Sequence, residues 1–178
     1  MAKQLLFLHL GPETADLAAM SDALHLGGVV LPDVDHDLLT HADIEIRRAH
    51  HRAGLKRKHV EGSWAKVCRA ALRTRSHCFV SMPGFFGADG KQAALALDGL
   101  AGMRVILVLT SGFEVEPPPV WTSIVKDERT HVLPSHLGPQ QLAAQVARIA
   151  LIEEQARLDR RLVKIGRRRK KVDRQLAA

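Results

Sequence analysis

The sequence is poor in aromatic residues and in cysteine, with no tyrosine, two tryptophans and five phenylalanines among 178 residues. Its two cysteines, Cys68 and Cys78, form no Cys-x-x-Cys pair, which argues against a disulfide framework and favours two buried thiols. No apolar run approaches the ~18 residues of a membrane span, and the first residues lack the pattern of a signal peptide. These absences predict a globular cytoplasmic protein without a transmembrane segment.

Positive charge is concentrated near the end of the chain. Residues 157–174 hold ten Lys and Arg side chains against Asp159 and Asp173, a local charge of +8. The rest of the chain has sixteen basic and seventeen acidic side chains, a charge of −1. The sequence therefore predicts a neutral body with a polycationic C-terminal segment.

Four apolar runs alternate with helical patterns along the chain. The runs Leu5–Leu10, Val29–Leu31, His77–Ser81 and Val105–Thr110 predict strands, and Leu5–Leu10 is apolar enough to be buried on both faces. Strands separated by helices predict a parallel sheet with right-handed crossovers, which gives a three-layer α/β fold. The predicted helices cover 14–26, 36–53, a segment capped by Ser63, 89–100, 117–126 and a long stretch from Pro139.

The long helix divides the predicted organisation into an α/β domain at 1–137 and a basic C-terminal helix at 138–178. Apolar residues recur along its second half at spacings of three, four and seven, and Gly166 interrupts the helical propensity. Three interpretations stay open: a solvated charged helix, a protein partner or homodimer, and contact with nucleic acid or another polyanion. The candidate polyanion-binding residues are Arg160, Arg161, Lys164, Arg167, Arg168, Arg169, Lys170, Lys171 and Arg174.

The first strand is followed by a loop and a helix, an arrangement that commonly holds phosphate at the helix N-terminus. Here the loop contains no lysine, and Glu13 and Asp16 place negative charge where phosphate would bind. This N-terminal segment therefore predicts the fold more clearly than it predicts a catalytic function.

Several short motifs, taken in order, resemble bacterial sulfotransferases that use 3′-phosphoadenosine-5′-phosphosulfate. The resemblance covers residues 4–126 and implies a P-loop-type fold. Because the family domains are longer, it also leads us to expect a truncated member without the acceptor-binding portion. The motifs are His9-Leu10-Gly11-Pro12-Glu13-Thr14, residues 28–32, Gly62-Ser63-Trp64, Phe79-Val80-Ser81, Leu107-Val108-Leu109-Thr110, Trp121 and Val125-Lys126.

The resemblance implies that the cofactor would meet two loops, formed here by Gly11, Pro12, Glu13, Thr14 and Ala15 and by Ser111 and Gly112. Glu13 stands where the family has the phosphate-binding lysine, Ala15 replaces a glycine, and Gly112 replaces an arginine. The Ser-His-Glu element of the family has become Ser81-Met82-Pro83. A carboxylate within ~4–6 Å of phosphate opposes its binding.

These departures lead us to expect a catalytically inactive, sulfotransferase-like binding or accessory protein that holds no cofactor. The alternatives are an active sulfotransferase using 3′-phosphoadenosine-5′-phosphosulfate and a nucleic-acid-associated protein that acts through its basic helix.

Only His9 and Ser81 are candidates for catalysis. His9 ends a strand beside the loop, although a structural role is favoured, and Ser81 lacks the Gly-x-Ser-x-Gly context of a nucleophile. Asp37, His41 and Glu45 share one helix face at four-residue steps, but an exposed polar face explains them better than a metal site. The sequence predicts no metal site.

Overall fold

Five parallel strands form one sheet in the order β2-β3-β1-β4-β5. The protein, represented by a computed structural model, is described here for residues 3–11, 16–111 and 118–176. The strands are β1 (Leu5–Leu10), β2 (Val29–Val30), β3 (His77–Ser81), β4 (Arg104–Ser111) and β5 (Thr130–Pro134).

Helices connect the strands on both faces of the sheet. In the described part of the chain, 3-10 turns lie at Pro83–Gly87, after β3, and at Asp127–Arg129, before β5. The helices are α1 (Leu17–Leu26), α2 (His36–Ile46), α3 (Arg57–Val60), α4 (Ser63–Arg73), α5 (Gly90–Asp98), α6 (Pro119–Ile124) and α7 (Pro139–Leu176).

Two hydrophobic clusters fill the space between the three layers. Leu6 and Leu8 of β1 point into the cluster formed with α2, α4, α5 and α6. Phe7, on the opposite face of β1, packs with α1 and the first part of α7. Because β1 is buried on both faces, it carries the continuous apolar run of a central parallel strand. The α/β class, the parallel sheet between helices and the long C-terminal helix are confirmed.

Both tryptophans anchor helices to the core, as expected. Trp121 of α6 donates its indole N–H to the carbonyl of Phe85 at 2.8 Å, and Trp64 of α4 donates to the carbonyl of Ala96 at 3.1 Å. Each buried N–H therefore has a partner. Cys68 and Cys78 are buried and unpaired, and burial raises the pKa of the Cys68 thiol to about 12.

Some predicted boundaries are wrong. Gly62, with a φ of 80°, is the N-cap of α4, and Ser63 is the first helical residue. The helix predicted over 36–53 ends at Ile46. Strand β5 was not among the predicted strands, because its Thr-His-Val-Leu-Pro sequence is short and partly exposed at the sheet edge.

Helix α7 belongs to the body at its start and extends away from it later. Leu142, Val146 and Ile149 pack into the cluster that also contains α1. With 38 residues, the helix is about 57 Å long at 1.5 Å per residue, and Gly166 does not interrupt it. Among the described residues, no helix has the length and apolarity that crossing a membrane requires.

Candidate functional site

The carboxyl end of β1 is the place in the sheet where the chain connections diverge. The chain leaves β1 toward α1 on one face, whereas it leaves β3 toward α5 on the other. Parallel α/β sheets open a crevice at such a point, and ligands bind there in many folds.

A cavity of about 790 Å³ lies at this edge. Its volume suits a small molecule. One wall comes from the end of β1 and the start of α1, a second from one side of α2, and a third from the end of β3 and the following 3-10 turn. The lining residues are Gly11, Asp16, Leu17, Val34, His36, Leu39, Thr40, Asp43, Arg47, Ser81, Met82, Pro83, Gly84, Phe86 and Gly87.

An ion pair between Asp43 and Arg47 lies in the α2 wall. Arg47 donates from both Nε and Nη2 to the Asp43 carboxylate, one helical turn away. The Asp43 side chain is 15% exposed and lies against Gly84 of the opposite wall. The positive charge of Arg47 is therefore largely committed to Asp43 and is only partly offered to a ligand.

His9 connects the three central strands just beneath this cavity. Its Nδ1 lies 2.9 Å from Ser81 Oγ on β3, and its Nε2 lies 3.0 Å from Thr110 Oγ1 on β4. All three residues are buried, and the imidazole stacks on Phe79 at a centroid distance of 5.7 Å. A neutral imidazole has one donor and one acceptor nitrogen, so the two hydroxyls use both.

Burial keeps His9 neutral. It lowers the pKa of the imidazole from 6.5 to about 4. Because both ring nitrogens are hydrogen-bonded within the sheet, His9 has no nitrogen directed at the cavity. The two separate candidates His9 and Ser81 are thus brought together, with Thr110 as a third member that sequence reasoning missed.

Gly11 lines the cavity and packs against the hydrogen-bonded side chains of His9 and Thr110. A Cβ on Gly11 would lie 2.0 Å from Thr110 Oγ1 and 3.3 Å from His9 Nε2. Only glycine lets the chain pass so close to the two side chains. This packing requirement explains Gly11 without a bound phosphate.

The N-terminus of α1, where an anion would be expected, is capped by the protein itself. Asp16 is the N-cap residue, and its Oδ1 accepts the backbone N–H of Ala19 at 3.1 Å. The carboxylate therefore satisfies one of the free amides and places a negative charge at the positive end of the helix dipole.

Among the remaining residues of the two predicted cofactor loops, the structure describes only Ser111. Pro12, Glu13, Thr14, Ala15 and Gly112 lie outside the described residues. Ser111 is the last residue of β4, and its carbonyl accepts the N–H of Ser135 at 3.0 Å.

Glu45, considered above for a metal site, serves α4. Its two carboxylate oxygens accept the backbone N–H groups of Gly62 and Trp64, each at 2.7 Å. Asp37 on the same helix is exposed. Within the described ranges, no group of three or more His, Cys, Asp or Glu side chains is arranged to hold a metal ion.

The cavity residues of α2 were missed by sequence reasoning, which considered a different side of that helix. His36, Thr40, Asp43 and Arg47 recur at steps of three and four and so share one face. The signal available in the sequence was the four-residue spacing of Asp43 and Arg47, which places an acidic and a basic side chain on the same helix face.

Basic side chains of the second half of α7 are exposed as far as they are described. This holds for Arg160, Arg161, Lys164, Arg167, Arg168 and Arg169, whereas the side chains of Lys170, Lys171 and Arg174 lie outside the described part of the structure. Comparison of the chain with protein-family models, with curated proteins and with solved structures found no match.

Proposed function

We propose that this protein is a sulfotransferase-like binding protein that holds a small neutral or cationic molecule in the carboxyl-edge cavity and transfers no sulfuryl group. The observation that carries the proposal is the capping of α1 by Asp16. An acidic side chain already occupies the position at which a phosphosulfate would meet the helix N-terminus.

The charges around the cavity support this choice of ligand. Asp16 and Asp43 contribute two carboxylates, and Arg47 contributes one guanidinium that is paired with Asp43. Glu13 adds a further acidic residue to the loop sequence. A polyphosphate would bring like charge to this edge, whereas a neutral or cationic ligand would not.

The state of His9 supports a binding role over proton transfer. A general base needs a free nitrogen within hydrogen-bond reach of its substrate and a pKa near the working pH. His9 has both nitrogens engaged and a pKa lowered to about 4 by burial. Ser81, engaged with His9, lacks the free base that would activate its hydroxyl.

Calorimetry with 3′-phosphoadenosine-5′-phosphate tests the proposal against the active-enzyme alternative. We expect no heat of binding at physiological salt. Micromolar affinity for this nucleotide, together with sulfuryl transfer from 3′-phosphoadenosine-5′-phosphosulfate to a phenol acceptor, would establish the alternative.

A repaired loop tests the assignment of the phosphate position. The triple variant Glu13→Lys, Ala15→Gly and Asp16→Asn introduces a cation and removes a carboxylate, while asparagine retains an N-cap acceptor. We expect it to gain affinity for inorganic phosphate. The matched control is Asp35→Asn, because Asp35 caps α2 through Leu38 N at 2.6 Å and does not line the cavity.

The ligand class is tested by titrating fragments and following backbone amide shifts. We expect small amines to shift the resonances of Thr40, Asp43 and Gly84, and carboxylates of similar size to leave them unchanged. Shifts caused only by carboxylates or phosphates would contradict the proposed ligand chemistry.

A second candidate function is polyanion binding through α7, favoured by the exposed arginines and lysine between residues 160 and 169. Such a surface contacts phosphates without reading sequence, and the segment has no aromatic residue to stack on bases. Full-length protein should bind duplex DNA and lose affinity steeply between roughly 50 and 200 mM salt.

A chain that ends after Glu154 is the test of this second function. The body should stay folded, because Ala150 is the last buried residue among the described side chains of α7. The truncated protein should not bind duplex DNA. Equal binding by both proteins, or binding that does not respond to salt, would exclude this mechanism.

A further inference from the structure

The exposed apolar residues of α7 do not continue the side of the helix that faces the body. Leu142, Val146 and Ile149 pack against the sheet layer. At about 100° per residue, the apolar stripe beyond position 150 is centred roughly 150° away from them. The body of the same chain therefore does not cover this stripe.

The stripe repeats with a period of seven residues. Leu151, Leu158, Ile165 and Val172 follow one another at this spacing, and Leu162 lies between them. Each of the five is at least 46% exposed. The stripe is roughly 80° wide, which suits a coiled-coil seam and is narrower than the apolar face of a helix that packs onto a globular core.

Basic residues occupy the side of the helix opposite the stripe. Arg160, Lys164 and Arg167 lie there and are exposed. A helix with this division can contact an apolar partner on one side while its charges stay in water on the other. A nucleic acid would use the charges alone and leave the stripe uncovered. An interfacial membrane helix usually has a broader apolar face with aromatic residues, which residues 151–176 lack.

We infer that a second copy of this chain covers the stripe and forms a two-stranded coiled coil over residues 151–172. The residues spaced by seven take position d, while Gln155, Leu162 and Arg169 take position a. Polar residues at position a fix the register and weaken the association. The inference goes beyond the two functions proposed above, and neither depends on it.

Charges beside the stripe fit a second copy in either orientation. Glu154, Arg161 and Arg168 fall at position g, and Asp159 and Asp173 fall at position e. A parallel pair brings Arg168 of one copy near Asp173 of the other, although it also brings Glu154 near Asp159. An antiparallel pair brings Glu154 near Arg168.

Salt distinguishes self-association from polyanion binding. Each tail has a charge of +8, so two tails repel each other at low ionic strength. Raising the salt from roughly 50 to 500 mM screens this repulsion and should strengthen the dimer. Polyanion binding weakens over the same change.

Sedimentation equilibrium of the full-length protein tests the inference. Across a micromolar to high-micromolar series at high salt, we expect a concentration-dependent dimer. The seam variant Leu158→Gln with Ile165→Gln should sediment as a monomer. The control Val163→Gln removes an equally exposed apolar side chain from outside the seam, at 56% exposure, and should leave the dimer unchanged.

Two results would overturn the inference. One is a wild-type protein that stays monomeric at every concentration. If that monomeric wild type binds phosphatidylglycerol vesicles and the seam variant does not, lipid covers the stripe. The other is equal dimerisation of wild type and seam variant. Amide circular dichroism checks that the variants retain their helix.

Discussion

Gly84 lies directly against the carboxylate of Asp43, so a Cβ at position 84 would stand 2.1 Å from Asp43 Oδ1. This contact joins the turn after β3 to α2 and forms part of the cavity wall. Because Asp43 also holds Arg47, a single close approach of backbone and side chain orients the charged groups of the site.

The substitution Gly84→Ala should displace the Asp43 carboxylate and loosen its pair with Arg47. We expect the free energy of unfolding to fall by about 1–3 kcal/mol, the usual range for overpacking. Urea denaturation measures the change. The control is Gly87→Ala in the same turn, where no atom lies within 4 Å of an added Cβ. Equal losses in the two variants would mean that the contact with Asp43 is not the cause.

Acid should destabilise the protein through His9. Burial lowers its pKa to about 4, so the folded state binds fewer protons than the unfolded state, whose histidine titrates near 6.5. Stability from this residue is complete above about pH 6.5 and is lost as the pH falls toward 4, with about 2 kcal/mol lost between pH 7 and pH 5.

Denaturation of wild type and His9→Gln at several pH values measures this contribution. The variant should be less stable at pH 7 but should lose less stability on acidification. His77 and His131 also have pKa values lowered by burial, and the variant retains both. Parallel pH profiles for the two proteins would contradict the assignment to His9.

The loss of stability caused by a larger residue at position 11 should be partly recovered by a second substitution at position 110. Gly11→Ala places its methyl group against Thr110 Oγ1 and should cost about 1–3 kcal/mol. Thr110→Ala alone removes one hydrogen bond to His9 and should cost about 1 kcal/mol. The double variant should be more stable than the sum of the two losses predicts, as a double-mutant cycle would measure. Strict additivity would rule out the contact as the source of strain.

Glu45 should stabilise α4 by accepting hydrogen bonds from its first amides. Glu45→Ala leaves the N–H groups of Gly62 and Trp64 without this partner, and we expect a loss of about 2 kcal/mol by thermal unfolding. Glu45→Gln retains one acceptor oxygen and should lose less. Glu61→Gln, in an exposed pair with Arg57, should change stability by less than about 0.5 kcal/mol.

The sequence alone determined the elements whose cause is local. Continuous apolar runs predicted β1, β3 and β4, because strands buried on both faces need no polar alternation. The helix predicted over 89–100 begins at Gly90, where Asp89 and Gln92 form a complete capping box. The charge of residues 157–174 is likewise a direct property of the sequence.

Only the tertiary structure decided how distant residues meet. The bridge from Ser81 through His9 to Thr110 joins positions separated by 72 and 101 residues, so no local periodicity indicates it. Residues 130–134 form β5 because they pair with the edge of β4, although their own β-propensity is weak. The role of Glu45 at α4 and the fit of Gly84 against Asp43 arise in the same way, since burial and hydrogen bonding depend on which elements the fold places together.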